Sequence, residues 1–219
     1  DFMLELMSFD ETSQSPKRIV LIRHGHSTYN AWRENTLRTC TCCWAKWLDQ
    51  DAALTEKGRT QVKKLRERIC SNRDGWLKDV ELVVTSPLTR AIETAIGAFP
   101  REESALPFIA TALATERLDT ACDIGRPVSE LQKDYPQIDF GEVPEIWWYG
   151  GETNYPEHGG KFLREDWTEC RSRIDRFREW LRKRREKCIV VFGHSAFFQE
   201  MTASRTKLAN CGIMELDLA

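Results

Sequence analysis

Three features of the sequence predict an α/β fold with a mostly parallel central sheet and helices on both of its faces, a three-layer sandwich. Runs of consecutive aliphatic residues, Ile19-Val20-Leu21-Ile22, Leu82-Val83-Val84 and Ile189-Val190-Val191-Phe192, read as strands buried on both sides. Helical periodicities separate them, which is the alternation that builds parallel sheets. Each run also stops abruptly at polar residues: Arg23-His24-Gly25, Ser86-Pro87 and Gly193-His194-Ser195. Ligands of open α/β sheets bind outside the carboxyl ends of the strands, so these three junctions belong to one prospective site.

At 219 residues the chain can bury a sizeable core as one domain. We divide it into an N-terminal arm over 1–16 and a single domain over 17–219, with loop insertions at 31–53 and 140–160. A formal net charge of -2 argues against nucleic acid or an acidic membrane surface as the main partner. No apolar stretch approaches the roughly 18 residues of a membrane span. The arm carries acidic residues and no basic region ahead of its apolar ones, unlike a signal peptide. Cys70, Cys122, Cys170, Cys188 and Cys211 are scattered singly, as buried thiols of a reducing, cytoplasmic compartment would be. Cys40, Cys42 and Cys43 cluster, but without the second pair of ligands that a structural zinc site requires.

In chain order, Ser27 to Ala53 reads as a long irregular segment holding Trp32, Trp44 and Trp47. Thr55 then suits the N-cap of a helix that places Val62, Leu65 and Ile69 on one face. After the second strand, Ser86 suits a cap and Pro87 the first position of a helix carrying Arg90 and ending near Gly97 to Pro100. Leu106 to Ala114 reads as a third strand leading to Glu116, and Pro127 to Tyr135 as a short helix with Val128, Leu131 and Tyr135 inward. Phe140 to Gly160, rich in proline, glycine and aromatics, reads as a rim or lid. A long amphipathic helix over 162–187 would bury Trp167, Ile174, Phe177, Trp180 and Leu181. Its basic end, Arg182 to Arg185, complements the helix dipole. A last strand falls within Gly212 to Leu218.

Converging strand ends would gather His24, His194, Arg23 and Arg90 into a cationic pocket. Arg90 would point back from the first turn of its helix, whose N-terminus also favours anions. A phosphoryl group is the natural guest, because guanidinium forks match its oxygens.

Arg23-His24-Gly25-His26-Ser27-Thr28-Tyr29-Asn30 resembles the opening motif of the histidine phosphatase superfamily, the phosphoglycerate mutase-like group. Leu54 to Gln61, Ser86 to Thr94, Leu113 to Glu116 and Gly193-His194 resemble four further family segments in the same order. The resemblance implies a phosphomonoester hydrolase in which His24 takes the phosphoryl group. Arg23, Arg90 and His194 would clamp its oxygens, Asn30 would add a contact, and Glu116 would protonate the leaving oxygen and then activate water. Glu102 and Glu103 are nearby competitors for that acid role. No metal or other cofactor is implied, and the partner is a small phosphorylated metabolite.

Some positions depart from the family pattern. His26 stands where glutamate is common, and Ser195, counted with the substrate-binding residues, stands where glycine is frequent. Arg117-Leu118-Asp119 follows Glu116 where a glycolytic mutase carries Arg-His-Tyr-Gly, and that enzyme's paired arginines are missing, so hydrolysis is favoured over mutase-type transfer. Ser195 in place of aspartate also argues against the acid-phosphatase and phytase branch. Two other classes compete: a metal-dependent hydrolase built on His24-Gly25-His26, and an idle module that only grips a phosphorylated ligand.

Overall fold

The structure is a computed structural model that describes residues 16–39, 50–71, 75, 77–99, 106–154 and 163–218. The N-terminal arm, the Cys40-Cys42-Cys43 cluster, Trp44, Trp47, Glu102, Glu103 and Tyr155 lie outside the described residues.

Five strands, β1 (Lys17–Arg23), β2 (Leu82–Thr85), β3 (Phe108–Ala110), β4 (Cys188–Gly193) and β5 (Ile213–Leu218), form one sheet in the order β3-β2-β4-β1-β5. β1, β2, β3 and β4 are parallel, and β5 runs antiparallel along the β1 edge. The alternation of side chains explains the unbroken aliphatic runs. Val20, Ile22, Val83, Val190 and Phe192 face one core, which α2 (Glu56–Cys70), α3 (Thr89–Ala98) and α4 (Val128–Asp134) cover. Ile19, Leu21, Leu82, Val84, Ile189 and Val191 face the other, covered by α5 (Trp167–Lys183) and α6 (Ser195–Thr202). The expected three-layer sandwich is the observed one.

Several local expectations need correction. The segment read as irregular from Ser27 begins with a helix, α1 (Thr28–Thr39). The third strand is only three residues long, and a short 3-10 turn over Ala112–Ala114 follows it. Thr55 does cap α2, accepting from Gly58 N at 3.1 Å. Ser86 does not start α3, which begins at Thr89. Its N-terminus is held instead by Asp51, whose carboxylate accepts from Thr89 N at 2.7 Å and Thr89 Oγ1 at 2.5 Å. Arg126 completes that cap by donating to Asp51 at 3.1 Å.

Trp147 and Trp148 are core, not rim: both are buried and stack edge-on at 5.8 Å. Trp147 lies on Gly125, where a Cβ would come within 2.0 Å of its ring, and donates to Arg126 O. Gly125 therefore serves close approach. Trp167, expected inward, is 38% exposed at the start of α5, past the edge of the core. α5 itself starts five residues later than expected, where Asp166 accepts from Thr168 N and Glu169 N. The four residues Ile174, Phe177, Leu181 and Cys170 make its buried stripe.

Candidate active site

The register of the central strands positions the site. Arg23 pairs with Gly193 across β1 and β4, so the next residues, His24 and His194, emerge side by side. His24 N donates to Gly193 O at 3.0 Å, and the two imidazole centroids are 5.2 Å apart. β2 adds Ser86 at the same level, its N–H bonded to Phe192 O. All three polar junctions therefore meet at one sheet edge.

Each imidazole is oriented. His24 Nδ1 lies 2.7 Å from Gly25 O, a group that only accepts, so Nδ1 carries the proton and Nε2 the lone pair. Burial, then the Arg90 and Arg23 guanidiniums, hold the His24 pKa well below the ordinary histidine range. His194 is likewise depressed, by burial first and by Arg90 and His24 next. Its Nε2 is 2.8 Å from Ser86 Oγ, whereas its buried Nδ1 has no partner. An orphaned buried ring nitrogen beside a second imidazole calls for a ligand.

A cavity of about 180 Å³ opens in front of His24, lined by Arg23, Asn30, Arg90, Glu116 and Ser195. The structure thus gathers every sequence-predicted site residue except His194 on the cavity wall, and the His194 ring stands beside that of His24. Arg23 donates to Leu208 O at 2.7 Å and keeps a buried Nε without a partner. Asn30 Oδ1 accepts from Ser27 N and Asn210 Nδ2, which turns its own amide N–H groups away from those partners. Arg90 is more engaged than expected: it donates to Cys122 O at 2.7 Å and to the Asp123 carboxylate at 2.8 Å. Asp123 is itself fixed by Thr120 N and Asp119 N.

Glu116 reaches the same cavity from the turn after β3. Its carboxylate accepts from Phe197 N at 2.8 Å, Arg117 N at 3.0 Å and Ala196 N at 3.1 Å, across the first turn of α6. Burial and the nearby Asp123 carboxylate raise its pKa, although the backbone donors and Arg90 oppose them. A half-buried carboxyl with a raised pKa thus shares one cavity wall with an imidazole whose pKa is lowered.

His26 does not join the cavity. Its ring approaches Thr55 Oγ1 at 2.8 Å and Glu34 at 3.2 Å, and its backbone N–H donates to Gln61. His24 and His26 thus diverge, against the metal-hydrolase reading of that pair. Among the described residues no three His, Cys, Asp or Glu side chains are grouped to hold a metal ion. No described helix is long and apolar enough to cross a membrane.

Sequence reasoning missed other cavity residues, among them Arg33, Arg117, Asp123, Trp167 and Lys207. Arg33 was findable once Thr28–Thr39 is helical, because it lies one turn beyond Asn30 on the same face. Arg117 is already committed, to Asp119 at 3.0 Å, to Glu165 O at 2.8 Å, and over the Trp167 ring at 4.6 Å.

A parallel sheet with two neutral histidines and two arginines at its carboxyl edge is the frame of a phosphoryl-handling enzyme. Residues 19–218 match the model of the histidine phosphatase superfamily (branch 1), and the chain belongs to that family. An Arabidopsis thaliana phosphoglycerate mutase-like protein is 29% identical over 86% of this chain and 74% of its own length. A Schizosaccharomyces pombe protein named a probable phosphatase is 24% identical over 81% and 74%. The Shigella flexneri alpha-ribazole phosphatase superposes with a TM-score of 0.57 at 17% identity, covering 91% of this chain and 90% of that one, and shares the fold. Family and relatives together make this a phosphatase or phosphoryl-transfer enzyme.

Proposed function

We propose that the protein hydrolyses small phosphomonoesters through a phosphohistidine on His24. The observation that carries this reading is the tautomer of His24, its proton fixed on Gly25 O and its Nε2 lone pair left for phosphorus. Nε2 attacks in line, the ester P–O bond breaks, and its electron pair stays on the leaving oxygen, which takes a proton from Glu116. Glu116, now ionised, takes a proton from water as that water's oxygen attacks phosphorus. The P–N bond breaks, and His24 and inorganic phosphate are released. Arg23, Arg90 and Asn30 hold the non-bridging oxygens, with Ser195 at the wall of the pocket. Ser86 Oγ, which accepts from Leu88 N, also has a proton to donate to His194 Nε2, and in that tautomer His194 carries its own proton on the unpartnered Nδ1.

The test is the fate of the phosphorus. Alkaline quench of a reaction with a radiolabelled phosphomonoester should leave acid-labile label on the wild-type protein and none on His24→Ala. Wild-type protein that turns over yet never carries label overturns the covalent route.

The pH profile follows from the two shifted groups. Glu116 must be protonated to act, so kcat/KM falls as pH rises through its raised pKa. His24 must be neutral, and its lowered pKa keeps it so well below pH 6.5. In a buffer series kcat/KM should therefore decline toward alkaline pH; a kcat/KM that climbs steadily with pH would remove Glu116 from the acid role.

The cavity is small beside the about 300–1,000 Å³ of sites for drug-sized ligands, which favours a compact substrate. Exposed Arg33 and Lys207 stand at its mouth, and neither forms an ion pair among the described residues. They favour a substrate with a second anionic group near the phosphate. Replacing both by alanine should raise KM for phosphorylated acids roughly tenfold, about 1.4 kcal/mol, and leave KM for p-nitrophenyl phosphate nearly unchanged. Arg117, being already engaged, is not available for the second grip a mutase needs, and this favours hydrolysis.

A further inference from the structure

On α5, one buried guanidinium spends all its donors inside the protein. Arg173 Nε and Nη2 hold the Glu165 carboxylate bidentately at 2.8 and 2.7 Å. Its Nη1 donates to Leu113 O at 3.1 Å and Thr115 O at 2.8 Å, and Nη2 also reaches Glu116 O at 3.3 Å. The guanidinium carbon also stands 5.0 Å from the centre of the Phe197 ring. Phe197 is the residue whose N–H meets the Glu116 carboxylate.

One side chain therefore grips both halves of the Glu116 cradle: the 113–116 backbone that presents the carboxyl, and the first turn of α6 that receives it. Glu165 closes the frame, because its own N–H donates to Leu118 O and its carbonyl accepts from Arg117. We infer that the Arg173–Glu165 pair is the positioning device for the proton donor Glu116, holding its carboxyl where the leaving oxygen must be. The inference rests on the acid role proposed above for Glu116. Arg173 lines no part of the cavity in front of His24, so it acts through Glu116 and not on substrate. A lysine cannot replace it, since a single ammonium lacks the planar fork that spans carboxylate and three carbonyls.

A positioning role for the acid has a signature that a general loss of structure lacks. Propyl phosphate expels an alkoxide that needs a proton, whereas 2,4-dinitrophenyl phosphate expels a phenolate that does not. Both esters pass through the same phosphohistidine, so they are compared by kcat/KM, which reports only the step in which the leaving group departs. Glu116→Gln should lose about 10²–10⁴-fold in kcat/KM on the propyl ester and less than tenfold on the dinitrophenyl ester. Arg173→Lys and Glu165→Gln should lose at least tenfold more kcat/KM on the propyl ester than on the dinitrophenyl ester. Equal losses on both esters, or no loss, in folded variants of this pair overturn the inference while Glu116→Gln remains selective. If Glu116→Gln itself is unselective, the acid assignment falls and this inference with it. Glu165→Gln, which keeps the shape but turns one of the two acceptors facing Arg173 into an N–H donor, provides the result should Arg173→Lys fail to fold.

Discussion

His24→Ala should reduce phosphate release from p-nitrophenyl phosphate by at least about 10⁴-fold, the scale on which removal of a covalent nucleophile acts. No other imidazole lines the cavity to take over: His194 is not on its wall and has its Nε2 engaged by Ser86, and His26 is turned toward Thr55 and Glu34. Stability should change little by comparison. The ring contributes one hydrogen bond to Gly25 O, worth about 1 kcal/mol, and leaves behind a cavity that already opens to solvent. Activity and melting temperature measured on the same preparation separate the two effects. Equal rates in both proteins would take His24 out of the chemistry.

Gly58→Ala should be strongly destabilising for the addition of a single methyl. Gly58 lies in the first turn of α2, and a Cβ there would stand 2.1 Å from His26 O and 3.0 Å from His26 C. Both are backbone atoms, and His26 O already accepts from Thr55 N and Thr55 Oγ1. The contact cannot be relieved by a rotamer change, so α2 and the 24–26 loop must move apart. Overpacking of this kind costs about 3 kcal/mol or more, and for a chain of this size each kcal/mol lowers Tm by about 2–4 °C. A fall of roughly 6–12 °C by calorimetry is expected. Because the displaced loop carries His24, kcat should fall as well. A variant with unchanged Tm would show that the loop yields more readily than its hydrogen bonds indicate.

The sheet was legible because its central strands are buried on both faces: Ile19 to Ile22 and Ile189 to Phe192 leave no polar residue to break the pattern. The junctions after them were legible for the same reason, since a charge following such a run is conspicuous. α1 escaped notice because it has almost no apolar stripe. Thr36 is its one fully buried side chain among those described, and the helix is anchored by the Ser27–Asn30 turn instead. The glycines near Trp147 and Trp148 do mark a loop, but both indoles turn inward instead of forming a rim. Gly125, distant in sequence, is what makes room for the indole. The seat of the phosphate was readable from Arg23, His24, Arg90 and His194, but Asp123, which steers Arg90, gave no signal. A single aspartate in a turn looks alike whether it faces water or a guanidinium. Arg173 was invisible for the mirror reason, one arginine among several on a basic helix.

The separation of the two imidazoles has a source outside both side chains. β1 and β4 are hydrogen-bonded neighbours, and adjacent strands stand about 4.8 Å apart, close to the 5.2 Å between the rings. The sheet itself is thus the ruler that sets how far apart the two rings stand. Residues on α1 or in the turn before β5 can be exchanged to suit another substrate body, and the gauge beneath them stays the same.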